Sequence, residues 1–112
     1  MDKTKIAFLN EVTALRRAQQ YTAGCNTTST DRELRALEKK FDKRMELFAT
    51  LGEDKFYNAV SQMRDAQQKY RAHHGKKDGM RAFLTELAVD HLIITLQRQV
   101  ALQVTQGDLF EK

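Results

Sequence analysis

The chain has no proline and no tryptophan, a single cysteine, and only five glycines among its 112 residues. Each shortage excludes something. Without proline, no helix loses a backbone N–H or meets a ring clash, so long unbroken helices are open to this chain. With Cys25 as the lone thiol, no disulfide closes within it, which fits a reducing compartment. The most apolar stretch, Leu92-Ile93-Ile94-Thr95-Leu96, is far too short to span a bilayer. Met1-Asp2-Lys3-Thr4-Lys5 is not followed by the apolar run of a signal peptide. The expectation is a cytoplasmic protein. There is no P-loop, no G-x-S-x-G and no zinc-type Cys/His spacing. Cys25, between Gly24 and Asn26, has no histidine beside it to activate it. No catalytic residue, metal site or cofactor is therefore assigned, and the expectation is not an enzyme.

What remains is helix-forming material. Hydrophobic residues make up 41% and charged residues 30%, a globular balance sufficient for one domain. The net charge of +4 permits an anionic partner without demanding one, because acids and bases interleave almost everywhere.

The chain repeats itself. Residues 8–20 read FLNEVTALRRAQQ and residues 56–68 read FYNAVSQMRDAQQ, an ungapped offset of 48. The offset continues: Glu38 falls on Glu86, Phe41 on Val89, Asp42 on Asp90, Met45 on Ile93 and Phe48 on Leu96. This reads as a tandem duplication of a unit of about 48 residues. Each unit is expected to be a helical hairpin. In the first, Phe8, Val12, Leu15 and Ala18 recur at spacings of three and four, one face of a helix. A loop follows over 24–30. Thr30-Asp31-Arg32-Glu33 has the form of a capping box and is expected to start the second helix, whose stripe is Leu34, Leu37, Phe41, Met45 and Phe48. Gly52 stands where a left-handed C-cap is wanted.

In the second unit Asp54 is expected to cap a helix whose buried face holds Phe56, Val60, Met63, Ala66 and Tyr70. A loop over 73–77 and a cap at Asp78 lead into a last helix ending near Val104. The expected fold is all-α: an antiparallel four-helix bundle with a pseudo-twofold axis relating its two hairpins. One domain covers 1–105, with repeats at about 3–50 and 51–105, and 106–112 form a tail. The last helix carries Phe83, Leu84, Leu87, Leu92 and Ile94 in addition to the repeat-equivalent face. Its wide apolar arc implies either a central place in the bundle or a self-association surface. The oligomeric expectation is monomer or homodimer.

Three constellations bear on chemistry. Arg16 and Arg64 occupy matching positions, as do Glu38/Asp42 and Glu86/Asp90, whose acids lie four apart on one helix face. The expectation is that each Arg pairs with an acid on the second helix of its own hairpin and fixes its register. The competing reading is a magnesium site. Glu86-Leu87-Ala88-Val89-Asp90 resembles the helix motif of all-helical nucleotide pyrophosphatases, although their acids are three apart, and that resemblance implies a Mg-dependent nucleotide hydrolase. Lys69, Arg71, Lys76 and Lys77, in a segment without acids, are candidate phosphate-binding residues and would make a weak nucleic-acid binder. They also complement a helix C-terminus.

Gln106-Gly107-Asp108-Leu109-Phe110 resembles the pentapeptide by which bacterial polymerases and repair proteins dock on the sliding clamp, with Gly107 where leucine is commonest. The resemblance implies a partner-binding set of Gln106, Asp108, Leu109 and Phe110. The hairpin pattern F-x-x-x-V-x-x-(L/M)-R-x-A-Q, followed by E-x-x-(F/V)-D, resembles small uncharacterised helical proteins of bacterial prophages and mobile elements. That family implies an accessory role and no activity. Together these point to a non-enzymatic interaction module with a protein partner.

Overall fold

The computed structural model describes residues 3–24 and 27–110, with side chains described as far as Leu102. Four helices follow one another: α1 (Lys3–Gly24), α2 (Thr28–Met45), α3 (Lys55–His73) and α4 (Lys76–Phe110). A 3-10 turn, Glu46–Leu51, extends α2. Among the described residues there is no strand. The hairpins α1–α2 and α3–α4 pack together as a bundle, and none of the helices is long and apolar enough to cross a membrane, among the described residues.

The helix boundaries follow local chemistry, with four departures from the sequence expectation. Helix α2 is capped by Thr27, not Thr30. The Thr27 hydroxyl accepts from the Thr30 N–H, and Thr30 answers by accepting from the Thr27 N–H, both at 3.2 Å. A threonine thus supplies the return bond that glutamine or glutamate usually gives. Gly52 is right-handed (φ −58, ψ −23) and closes the 3-10 turn by donating to Ala49 O at 3.0 Å. The left-handed residue is instead His74 (φ 53), whose N–H donates to Tyr70 O and ends α3. Helix α4 then starts at Lys76, so Asp78 lies inside its first turn, where a carboxylate complements the helix dipole. Asp54 does cap α3, accepting from the N–H groups of Phe56 (2.9 Å) and Tyr57 (3.3 Å).

The core is graded along the bundle. At one end Phe8 is fully buried and touches Phe41, Phe48, Phe56 and Tyr57, with ring centroids 5.0–6.4 Å apart. Val12, Leu15, Val60, Met63 and Val89 continue the apolar packing. Burying side chains of this size is worth roughly 1.5–3 kcal/mol each. Truncating Phe8 to alanine would open the centre of the aromatic cluster and cost about 3–5 kcal/mol. Tyr70 departs from its expected burial. It is 41% exposed, and its ring lies over Gly79 of α4, where an added Cβ would come within 3.2 Å of Cε1. The absence of a side chain at Gly79 is what lets the aromatic ring approach.

Helix α4 does not take a central place. Ala82, Val89, Ile93 and Leu96 form its buried face, while Phe83, Leu84, Leu87 and Ile94 are exposed. The extra apolar arc that suggested enclosure faces outward. The helix also continues through Gly107 to Phe110, past the end expected near Val104. A glycine inside a helix costs about 1 kcal/mol relative to alanine, which is not a stop in itself.

Candidate functional site

Halfway along the bundle the apolar core gives way to a buried polar layer. Arg16 and Gln19 enter it from α1, Glu38 and Asp42 from α2, Arg64 and Gln67 from α3, and Glu86 and Asp90 from α4. Arg16, Gln19, Glu38, Arg64 and Gln67 are all buried. Arg16 and Arg64 directly follow the buried Leu15 and Met63, and Gln19 and Gln67 lie one turn beyond them on the inward face.

The ion pairs cross between hairpins. Arg16 makes a two-pronged contact with Asp90 of α4, Nε to Oδ1 at 2.7 Å and Nη2 to Oδ2 at 2.9 Å. Arg64 makes the same contact with Asp42 of α2 at the same two distances. This corrects the expectation that each arginine faces the second helix of its own hairpin. Helix α1 lies against both α2 and α4, and the long arginine stem leans into the α4 gap. Both guanidiniums are largely buried, which by itself disfavours their charge. The hydrogen bonds and charge of the facing carboxylates, Asp90 with Glu86 and Asp42 with Glu38, outweigh this and hold both above the ordinary arginine value.

Two glutamines complete the layer. Arg16 Nη1 donates to Gln19 Oε1 (2.7 Å), and Arg64 Nη1 donates to Gln67 Oε1 (2.6 Å). Gln19 Nε2 donates to Glu38 Oε2 (2.7 Å), and Gln67 Nε2 donates to Glu86 Oε2 (2.6 Å). No buried side-chain nitrogen or oxygen lacks a partner among the described residues. In a low-dielectric interior that completeness is what makes such a layer tolerable, since an unpaired member would cost its full desolvation. The sequence signal for these glutamines is the A-Q-Q that recurs just after each arginine, at 18–20 and 66–68.

The layer differs between its halves at one position. Glu38 is gripped by Arg64 (3.3 Å) and also by Arg71, whose Nη2 donates to Oε2 at 2.9 Å. The residue 48 positions before Arg71 is Ala23. Glu86 therefore has Gln67 and a 3.8 Å approach from Arg16, and its side chain keeps 29% exposure. It opens on a cleft of about 590 Å³ lined by Ala23, Asp31, Leu34, Gln67, Tyr70 and Arg71 among others.

The four acids expected as rival magnesium ligands thus lie in this layer, each engaged by arginine or glutamine. Among the described residues no three His, Cys, Asp or Glu side chains are grouped to hold a metal ion. The candidate phosphate-binding residues do not converge. Arg71 turns inward to Glu38, and Lys69 reaches Asp65 at 3.3 Å. Lys76 and Lys77 sit in the first turn of α4. The side chains of Gln106, Asp108, Leu109 and Phe110 lie outside the described residues; their backbone belongs to α4.

Fold and site together define a four-helix bundle with a buried arginine–carboxylate–glutamine layer. No family model matches the chain, and no curated protein or solved structure shows significant similarity to it.

Proposed function

We propose that the protein is a non-enzymatic interaction module that docks a protein partner through its C-terminal segment, the bacterial sliding clamp being the partner whose docking peptide it resembles. The observation that carries this reading is the extent of α4. Among the residues whose side chains are described, the last buried one is Leu96, Val100 is half buried, and Ala101 and Leu102 are exposed, yet the helix continues to Phe110. The Gln106–Phe110 peptide therefore follows residues, Ala101 and Leu102, that have already left the core. Docking in an extended form requires the last turns of α4 to unwind, and Gly107 lowers that cost. Leu109 and Phe110 supply the apolar anchors and Gln106 a hydrogen bond. Ordering the segment offsets part of the gain, so the complex is of the weak, micromolar kind.

The pairing within the polar layer supports the non-enzymatic half of the reading: its acids serve the arginines and glutamines and hold the two hairpins in register. A cytoplasmic location and an accessory, prophage-type origin belong to the same proposal. The test is binding of the full chain to purified clamp. The double substitution Leu109→Ala with Phe110→Ala is expected to abolish binding and leave the melting temperature nearly unchanged. A fall of many degrees would place both side chains in the fold and remove the docking reading. Magnesium-dependent turnover of nucleoside triphosphates that vanishes in Glu86→Gln would replace it with the hydrolase reading.

A further inference from the structure

Helix α4 is apolar on two opposite sides. One is the buried face. The other carries Met80, Phe83, Leu84, Leu87, Ile94 and Leu102, ranging from 49% exposed at Leu87 to 61% at Leu102. Met80, Leu84, Leu87, His91, Ile94 and Arg98 follow one another at alternating steps of four and three, the spacing of a coiled-coil seam. From Met80 to Leu102 the stripe runs for roughly 33 Å at 1.5 Å per residue. Arg98 is the one fixed charge on it among the described residues. A monomer rarely leaves so continuous an apolar stripe open to water.

We infer that this face is covered by a second copy of the same chain, with α4 lying antiparallel on α4 and the twofold axis passing at His91. A twofold interface uses one patch against itself, so positions equidistant from the axis must complement each other. About His91 they do. Met80 and Leu102 each lie eleven residues away, Leu84 and Arg98 each seven, and Leu87 and Ile94 four and three. Antiparallel pairing sets Met80 against Leu102 and Leu87 against Ile94. It lays the Arg98 stem along Leu84, with its guanidinium beside the Phe83 ring, where a cation is attracted to the aromatic face. Parallel pairing would instead bring Arg98 against Arg98. The six half-exposed apolar side chains offer on the order of 500 Å² per chain, and His91, Arg98 and their flanks bring this toward the ~800 Å² per partner of a stable interface. The inference is tested separately from C-terminal docking, because the positions that probe it, Leu87 and Ile94, lie outside Gln106–Phe110.

The full chain is to be followed by sedimentation equilibrium over roughly 1–100 μM, a range that brackets a micromolar dimer. The expected mass at the upper end is twice the 13.0 kDa of one chain. Leu87→Lys and Ile94→Glu are each expected to weaken association at least tenfold with unchanged helical circular dichroism, since both side chains are half exposed. The two substitutions together in one chain are expected to restore the dimer, because the introduced lysine of one copy then faces the introduced glutamate of the other. A chain that stays monomeric throughout overturns the inference. A dimer indifferent to both single substitutions also overturns it, as does a double variant no more associated than the singles.

Discussion

Gln19 and Gln67, 48 residues apart on α1 and α3, hydrogen-bond to each other in both directions: Gln19 Nε2 donates to Gln67 Oε1 at 3.0 Å, and Gln67 Nε2 donates to Gln19 Oε1 at 3.2 Å. Phe8 and Phe56 have the same separation in sequence and meet edge to face at 5.5 Å. Counterpart residues touch their own counterparts along α1 and α3, so these helices run parallel on either side of the bundle's centre.

The glutamine pair joins the two halves of the polar layer, and its removal is expected to be costly and non-additive. Gln19→Ala leaves Glu38, Gln67 and Arg16 each short of a partner, and stranding a buried polar group costs about 1–3 kcal/mol. Gln67→Ala strands Gln19, Arg64 and Glu86 in the same way. The double variant should lose less than the two single losses added together, because both remove the same shared bonds. Urea unfolding of the four proteins measures this; strict additivity would mean the pair is not coupled.

The cross-hairpin ion pairs make a directional prediction. A double-mutant cycle on Arg64 and Asp42 should give a coupling of at least about 1 kcal/mol, while Arg64 with Asp90, the acid of its own hairpin, should give close to zero. Arg64→Ala should also destabilise more than Arg16→Ala, by a share of the roughly 3–5 kcal/mol that breaking a buried pair costs. It leaves Glu38, whose side chain is 2% exposed, with Arg71 and Gln19 alone, whereas Arg16→Ala removes only a 3.8 Å approach from Glu86, which at 29% exposure keeps Gln67 and solvent. Equal losses would contradict the burial difference.

Asp54 links stability to acid pH. Burial alone would raise its pKa. The ion pair with Lys5 at 2.7 Å and the N–H groups of Tyr57 and Phe56 outweigh burial and hold it below the ordinary carboxylate value. A depressed folded pKa means that the contribution is complete above the unfolded value, about 3.9, and is lost as pH falls through the folded value. Asp54→Ala should therefore cost about 1 kcal/mol at neutral pH, the usual worth of a helix cap. The gap between the two proteins should narrow as pH drops below about 4. A gap independent of pH would show that the cap acts without its charge.

Ala23 is the position at which the layer lacks a second arginine. Ala23→Arg is expected to reach Glu86 across the cleft, as Arg71 reaches Glu38, and to stabilise the protein by about 1 kcal/mol, a shift of several degrees in Tm for a chain of this size. The same substitution in a Glu86→Gln background should give much less. A gain of equal size in both backgrounds would trace it to the cation at the C-terminal end of α1 rather than to Glu86.

Much of this was legible in the chain itself. Apolar residues at three- and four-residue spacing specify helices and their inward faces, because a helix repeats every 3.6 residues whatever surrounds it. Phe8, Val12, Leu15, Phe56, Val60 and Met63 are all buried as that spacing requires. Asp54 caps α3 because a carboxylate two and three residues ahead of free N–H groups needs nothing from the rest of the fold. Boundaries were less legible. Thr27 and Thr30 compete as caps through bonds of similar strength, and a 3-10 turn absorbed the break expected of Gly52.

What only the tertiary structure decided is how the helices meet. Arg16 lies on a face of α1 that is equally compatible with α2 and α4. The distance to Asp90, set by how the hairpins close on each other, chose between them. The wide apolar arc of α4 specified a second sticky face, but its packing, with Val89 buried and Leu87 open to solvent, determined which face the core used and which it left outside. Local spacing encodes direction around one helix axis. The partner found in that direction depends on the relative placement of several axes, which no single segment contains.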